Sequence, residues 1–133
     1  MKLRFLPCLI AGAVLAHGVQ AAPAPDGKTL FAKNCAACHQ ADGRGIPGAF
    51  PALAGSALVA GAPAELAQVL LKGRGGMPDF SGSLDDAEIA AVLNHTRSNW
   101  GNRAPPVSGA EVEALRAALQ VAPPTRSRFG NQH

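Results

Sequence analysis

Hydrophobic positions along this 133-residue chain form one continuous block and four periodic stretches. The block runs from Phe5 to Val19, interrupted by Pro7, Gly12 and His17, and follows Lys2 and Arg4. The first periodic stretch opens at Asp26, a residue suited to an N-cap, and sets Leu30, Phe31, Cys35 and Cys38 at helical spacing. The second begins at Pro63, carries Leu66, Val69 and Leu70 on one stripe through Lys72, and stops at Gly73. In the third, Ser83 and Asp86 have capping-box spacing beside the stripe Leu84, Ile89, Ala90, Val92 and Leu93, which predicts a helix to about Asn99, closed by Trp100-Gly101-Asn102. The fourth follows Pro105-Pro106: Ser108 with Glu111 forms another capping box, and Val112, Leu115, Ala118 and Leu119 repeat helically to Gln120.

Between these stretches, Gln40 to Gly55 and Gly73 to Phe80 have no period and are rich in glycine and proline, so both read as loops. No stretch reads as a strand, and no segment repeats. The expected fold is all-α, about four helices joined by Gly/Pro-rich loops. The domain covers 26–120, behind a flexible lead-in at 22–25 and ahead of a Pro-rich, disordered tail at 121–133.

The Phe5–Val19 block is too short and too broken to span hydrocarbon, and it ends in Val19-Gln20-Ala21-Ala22, small or apolar residues where a signal peptidase cuts. Residues 1–21 therefore read as a secretory signal peptide, with the mature protein periplasmic and not stably inserted in the membrane. Cys8, preceded by Pro7, leaves with this segment, and two cysteines remain in an oxidising compartment. Without Lys2 and Arg4, ten Lys and Arg stand against nine Asp and Glu, so the mature chain is near neutral. No clustered basic face is visible, which argues against a nucleic-acid partner. Five Phe, one Trp and no Tyr make a thin core for a small domain, and a large apolar cofactor would supply the missing bulk.

The candidate chemistry is concentrated in Cys35-Ala36-Ala37-Cys38-His39. Positions i, i+3 and i+4 share a helix face, so both sulfurs and the imidazole can address one porphyrin edge and its iron, and C-x-x-C-H is the attachment pattern of haem c. A thiol redox pair is the first alternative, but it calls for a preceding β-strand. A zinc half-site needs a second ligand pair, and a disulfide between Cys35 and Cys38 would close too short a loop to constrain the unfolded chain much. A haem held by His39 needs a second axial ligand or an open coordination position. Met77 is the sole methionine after Met1, and it lies in the Gly/Pro loop Gly73-Arg74-Gly75-Gly76-Met77-Pro78, whose small residues permit close approach to a flat macrocycle. The rival His95 sits between Asn94 and Thr96 on what reads as a polar, solvated face, and His133 lies in the tail.

With Cys35–His39, then Phe50-Pro51-Ala52-Leu53-Ala54-Gly55, then Gly76-Met77-Pro78, the chain resembles the class I c-type cytochromes over roughly Asp26 to Asn102. The stretch from Leu84-Asp85-Asp86 to Trp100-Gly101-Asn102 is similar to the cytochrome modules of periplasmic dehydrogenases, especially quinoprotein alcohol dehydrogenases. The resemblance implies a small cytochrome c fold around one haem c bound covalently through Cys35 and Cys38, with His39 and Met77 on the iron. It also implies that the Pro51 carbonyl accepts the Nδ1 proton of His39 and that Leu53 packs on the haem. The implied function is electron transfer between a dehydrogenase and an acceptor such as a terminal oxidase, with redox proteins as partners. No catalytic residues stand out, so the chain reads as a carrier and not an enzyme. The alternative is a haem enzyme or ligand-sensing cytochrome in which Met77 is displaced from the iron.

Overall fold

Helix α5, Asp86–Ser98, is the element against which most of the others pack. The computed structural model describes residues 23–125; the signal peptide expected at 1–21 and residues 126–133 of the expected tail lie outside them. The described residues hold six helices: α1 (Gly27–Asn34), α2 (Ala36–His39), α3 (Ala57–Ala60), α4 (Pro63–Lys72), α5 and α6 (Gly109–Ala118). The only pairings of β type among them are two isolated bridges, Ile46 with Phe50 and Arg74 with Met77.

Three of the four longer helices start where a side chain satisfies free N–H groups, and α4 starts instead with Pro63 at its first turn, where a missing N–H costs nothing. Asp26 accepts from the backbone of Lys28 and Thr29, and Ser108 and Glu111 form the capping box foreseen for α6. For α5 the cap differs from the expected pair. Asp85 and Glu88 form the box, while Ser83 belongs to the preceding turn, where its backbone N–H donates to the Phe80 carbonyl. Asp86 is committed elsewhere: its carboxylate accepts from Arg116 at 2.7 Å. Glutamate at the third helical position also reaches back to the cap more readily than aspartate.

Two further departures come from local competition. The first helix does not run unbroken into the cysteine motif; it ends at Asn34, whose side-chain amide donates to the Leu30 carbonyl, and Cys35 leaves helical geometry at φ −123°, ψ −33°. The motif thus occupies a turn of its own, α2. The single turn α3, capped by Ser56, lies in a Gly/Pro-flanked region where no helix was expected.

The apolar stripes meet in one core that includes Phe31, Val59, Leu66, Leu71, Ile89, Leu93 and Val112. At the α1–α5 crossing the backbones come very close: a Cβ on Gly27 would lie 2.1 Å from the Ala91 carbonyl oxygen. Two arginines are buried among these residues. Arg97, 1% exposed, donates to the carbonyls of Val59, Gly61 and Pro105, and Arg116, 3% exposed, pairs with Asp86 and donates to the carbonyls of Ser81, Leu84 and Ala122. Through Arg116 the first residues of the segment expected to be a loose tail are held in place, since the Val121 N–H also donates to the Arg116 carbonyl.

Candidate functional site

The cysteine motif is built from α2 and the loop that follows. Cys35 precedes α2 and Cys38 lies within it; both are half-buried free thiols. Burial and the neighbouring Cys38 push the Cys35 thiol up to about 11, the opposite of what a reactive thiolate requires. That disfavours a thiol redox pair on chemical grounds. Among the described residues, no three His, Cys, Asp or Glu side chains cluster so as to hold a metal ion.

His39 ends α2 and is buried. Its Nδ1 lies 2.9 Å from the Pro51 carbonyl oxygen. In the tautomer that donates this bond, Nε2 carries the free lone pair, the state a neutral imidazole needs to ligate a metal. The backbone reinforces the approach: Gly45 N–H donates to the His39 carbonyl at 2.9 Å, and Ile46 and Phe50 exchange both backbone bonds, at 2.9 and 2.8 Å, around the turn leading to Pro51. His39 is therefore gripped at its main chain by the start of this turn and at its ring by the end.

The same turn leaves Ile46 and Phe50 each 40% exposed, the large hydrophobic residues that stand out at the described surface. Phe50 and Pro51 also line an open recess of about 340 Å³ with Arg44, Pro47, Gly48, Ala49 and Ala52. Apolar side chains exposed beside a buried histidine suit a flat apolar ligand or a protein partner. Leu53 is half-buried against the core, and its N–H and that of Ala54 donate to the Gly43 carbonyl at 2.7 and 3.0 Å.

Met77 belongs to a separate, equally well-fixed loop. Gly73 ends α4 at φ +72°; Arg74 and Met77 then exchange backbone hydrogen bonds of 3.1 and 3.0 Å, and Phe80 N–H returns to the Leu70 carbonyl at 2.7 Å. The Met77 side chain is half-buried against the core. The donor set fits a haem of the c type: two thiols and an imidazole at positions i, i+3 and i+4 about one turn, the imidazole oriented by a carbonyl, and a thioether on a loop fixed by backbone hydrogen bonds.

His95 does not lie on a solvated face. Its ring centroid is 5.3 Å from Phe31 and 5.4 Å from Trp100, the latter edge-on, and Phe31 and Trp100 are 5.0 Å apart. Burial holds its pKa below the ordinary imidazole value, partly offset by Asp26. The polar neighbours that suggested exposure are turned inward and bonded to backbone, Asn94 to Val107 and Thr96 to Leu93. Sequence reasoning also missed Asn102, 7% exposed, whose side chain bonds Leu53 and Gly55; its place in the closing Trp100-Gly101-Asn102 was the available signal.

Residues 22–95 match the family described as cytochrome C oxidase, cbb3-type, subunit III. The chain is 41% identical over 112 residues to cytochrome c-552 of Thermus thermophilus, covering 69% of this chain and 85% of that protein. It is 38% identical over 103 residues to the cytochrome c subunit of alcohol dehydrogenase (quinone) from Gluconobacter oxydans (strain 621H), covering 68% of this chain but 22% of that subunit. A cbb3-type cytochrome c oxidase subunit of Azospirillum brasilense is 38% identical over 94 residues, 65% of this chain and 32% of its own. The chain thus spans about a fifth of the length of the dehydrogenase subunit it matches.

Proposed function

The chain belongs to the cytochrome c family, whose members carry electrons and are not themselves enzymes, and on that premise we propose that it holds a single haem c with His39 and Met77 as its iron ligands. Cys35 and Cys38 would form the two thioether bonds, His39 Nε2 and the Met77 sulfur would ligate the iron, and Leu53 would pack against the macrocycle. The observation that carries this reading is the His39–Pro51 bond, because it leaves the ring nitrogen opposite Pro51 free as a ligand in a motif flanked by two free thiols. When bound, haem c supplies an iron that gains and loses one electron.

The roles of the residues follow from their placement. Pro51 fixes the imidazole plane and, by accepting the Nδ1 proton, makes the ring a better donor. A thioether as the second ligand favours the reduced iron and raises the potential. The paired bonds of Arg74 and Met77 and the tether from Phe80 to Leu70 speak against a loop that readily releases its methionine, and therefore against the enzyme or sensor alternative. Ile46 and Phe50 supply apolar surface where a redox partner could approach with little charge steering.

We further propose export to the periplasm and exchange of electrons between a dehydrogenase and an acceptor such as an oxidase. Relatives named as subunits of alcohol dehydrogenase (quinone) and of a cbb3-type oxidase support both ends of that route. No helix among the described residues is long and apolar enough to cross a membrane. The test is expression with a haem-attachment system. Colour that stays with the denatured chain, one haem per chain, and a methionine-to-ferric charge-transfer band in the near infrared are expected, and Met77→Ala should abolish the band. A wild-type protein without it would lack the His/Met pair.

A further inference from the structure

The tripeptide that closes α5, Trp100-Gly101-Asn102, reaches back 59 residues to Ala41 through Trp100 and 47 residues to Gly55 through Asn102. Asn102 uses both ends of its buried amide. Oδ1 accepts from Gly55 N–H at 2.9 Å, and Nδ2 donates to the carbonyls of Leu53 at 3.0 Å and Thr96 at 2.8 Å. Trp100 acts on the other loop: its indole N–H donates to the Ala41 carbonyl at 3.2 Å, and its ring lies against Gly43.

These contacts converge on the segment that carries Pro51. Upstream, the Ile46–Phe50 bridge holds Phe50, but residues 51–55 belong to no helix or strand, so past that bridge no regular ladder fixes the direction of the Pro51 carbonyl. Instead, Leu53 is held at both polar ends, with its N–H on the Gly43 carbonyl and its own carbonyl on Asn102. Gly55 is held by the other end of the same amide. Pro51 lies two residues from Leu53 and points its carbonyl at His39 Nδ1.

We infer that Asn102 is a positioning residue for the proximal histidine: by pinning Leu53 and Gly55 to the end of α5, it keeps the Pro51 carbonyl aimed at His39 Nδ1. The inference rests on His39 being the iron ligand proposed above. A hydrogen bond to a ligating imidazole sets its orientation and donor strength, so a residue that fixes the acceptor influences the metal without touching it. Trp100 holds the complementary side, steadying Gly43 and with it the carbonyl that receives Leu53 N–H.

The experiment is exchange of the His39 Nδ1 proton with solvent, followed by NMR in the reduced, haem-loaded protein. Wild type should show a slowly exchanging Nδ1–H within a ligand histidine shifted by the haem ring current. If no such histidine appears, the assignment of His39 as ligand fails, whatever Asn102 does. Asn102→Ala should speed the exchange about tenfold, the factor expected for loosening one hydrogen bond of ordinary strength, and shift the reduction potential. Val112→Ala is the control, since Val112 is fully buried in α6 and should lower stability without reaching the proximal loop. Should Asn102→Ala fail to accumulate, Asn102→Ser keeps one hydroxyl in the buried site, able to serve part of the three backbone bonds, and should give a smaller acceleration. Exchange in the Asn102 variants no faster than in Val112→Ala, compared at equal margins below their melting temperatures, together with an unchanged potential, overturns the inference.

Discussion

Trp100 lies so close on Gly43 that a Cβ at position 43 would come within 2.4 Å of the indole. The contact joins the end of α5 to the loop behind the cysteine motif, and it needs glycine twice, for space and for a φ of +70°. Gly43→Ala should therefore lower the stability of the haem-loaded protein by about 2–4 kcal/mol, combining left-handed backbone strain with overpacking. Urea unfolding followed by tryptophan fluorescence reads this directly, since Trp100 is the only tryptophan. A change of under about 0.5 kcal/mol, typical of a surface substitution, would refute the packing argument.

The Met77 loop gives a sharper contrast. A Cβ on Gly73, at φ +72°, would lie 2.7 Å from the Met77 carbonyl oxygen, whereas one on Gly76 meets nothing within 4 Å. Gly73→Ala should push the Met77 backbone out of place, weaken the ferric charge-transfer band and let the reduced protein take up carbon monoxide. Gly76→Ala should leave both properties as in wild type. Equal behaviour of the two variants would mean that loop geometry does not control the thioether.

How legible this molecule is in its sequence depends on what each residue answers to. The stripes of α4, α5 and α6 could be read because each buries one face at a fixed period, and Ser108 with Glu111 because a cap is a local bond. The cap of α5 was misplaced by two residues because Asp86 is drawn to Arg116, thirty residues away, a claim on its side chain with no local trace. Arg97, Arg116 and His95 escaped for a related reason. Charged and polar residues default to the surface in any reading of pattern, but these are satisfied by backbone carbonyls or stacked rings that only the tertiary fold brings near.

The candidate site divides along the same line. Cys35, Cys38, His39 and Met77 are visible as chemistry at set spacing, and Pro51 and Leu53 through resemblance. What holds the loop between them in place, Asn102 on one side and the Gly43 carbonyl on the other, consists of contacts spanning ten to nearly fifty residues and leaves no periodic trace.

His95 gives the stability a pH dependence of definite sign. Burial keeps its folded pKa below the ordinary 6.5, so as pH falls below about 6.5 the unfolded chain binds the proton first. This contribution is complete above about pH 6.5 and is lost progressively as pH falls toward the lower folded value. The charged groups facing it are Asp26, which opposes the shift, and Lys28, which adds to it. Melting temperatures across pH 7.5 to 5 should decline for wild type, and less for His95→Phe, which keeps ring contacts with Phe31 and Trp100. Parallel curves for the two proteins would exclude His95 as the titrating group.

The Arg116–Asp86 pair decides how α6 is bound to the start of α5. Its 2.7 Å contact involves a guanidinium side chain 4% exposed and a carboxylate 24% exposed, so the charge on Arg116 is the more deeply desolvated partner. Asp86→Ala would leave that charge facing only the carbonyls of Ser81, Leu84 and Ala122. The expected loss is about 3 kcal/mol, the low end for breaking a buried pair because Asp86 is partly solvated. Adding Arg116→Met removes the stranded charge but also frees three carbonyls, so the double variant should recover part of the loss and remain below wild type. Denaturant unfolding of wild type, both single variants and the double variant gives the coupling energy. Strict additivity would mean that Arg116 serves the three carbonyls independently of Asp86.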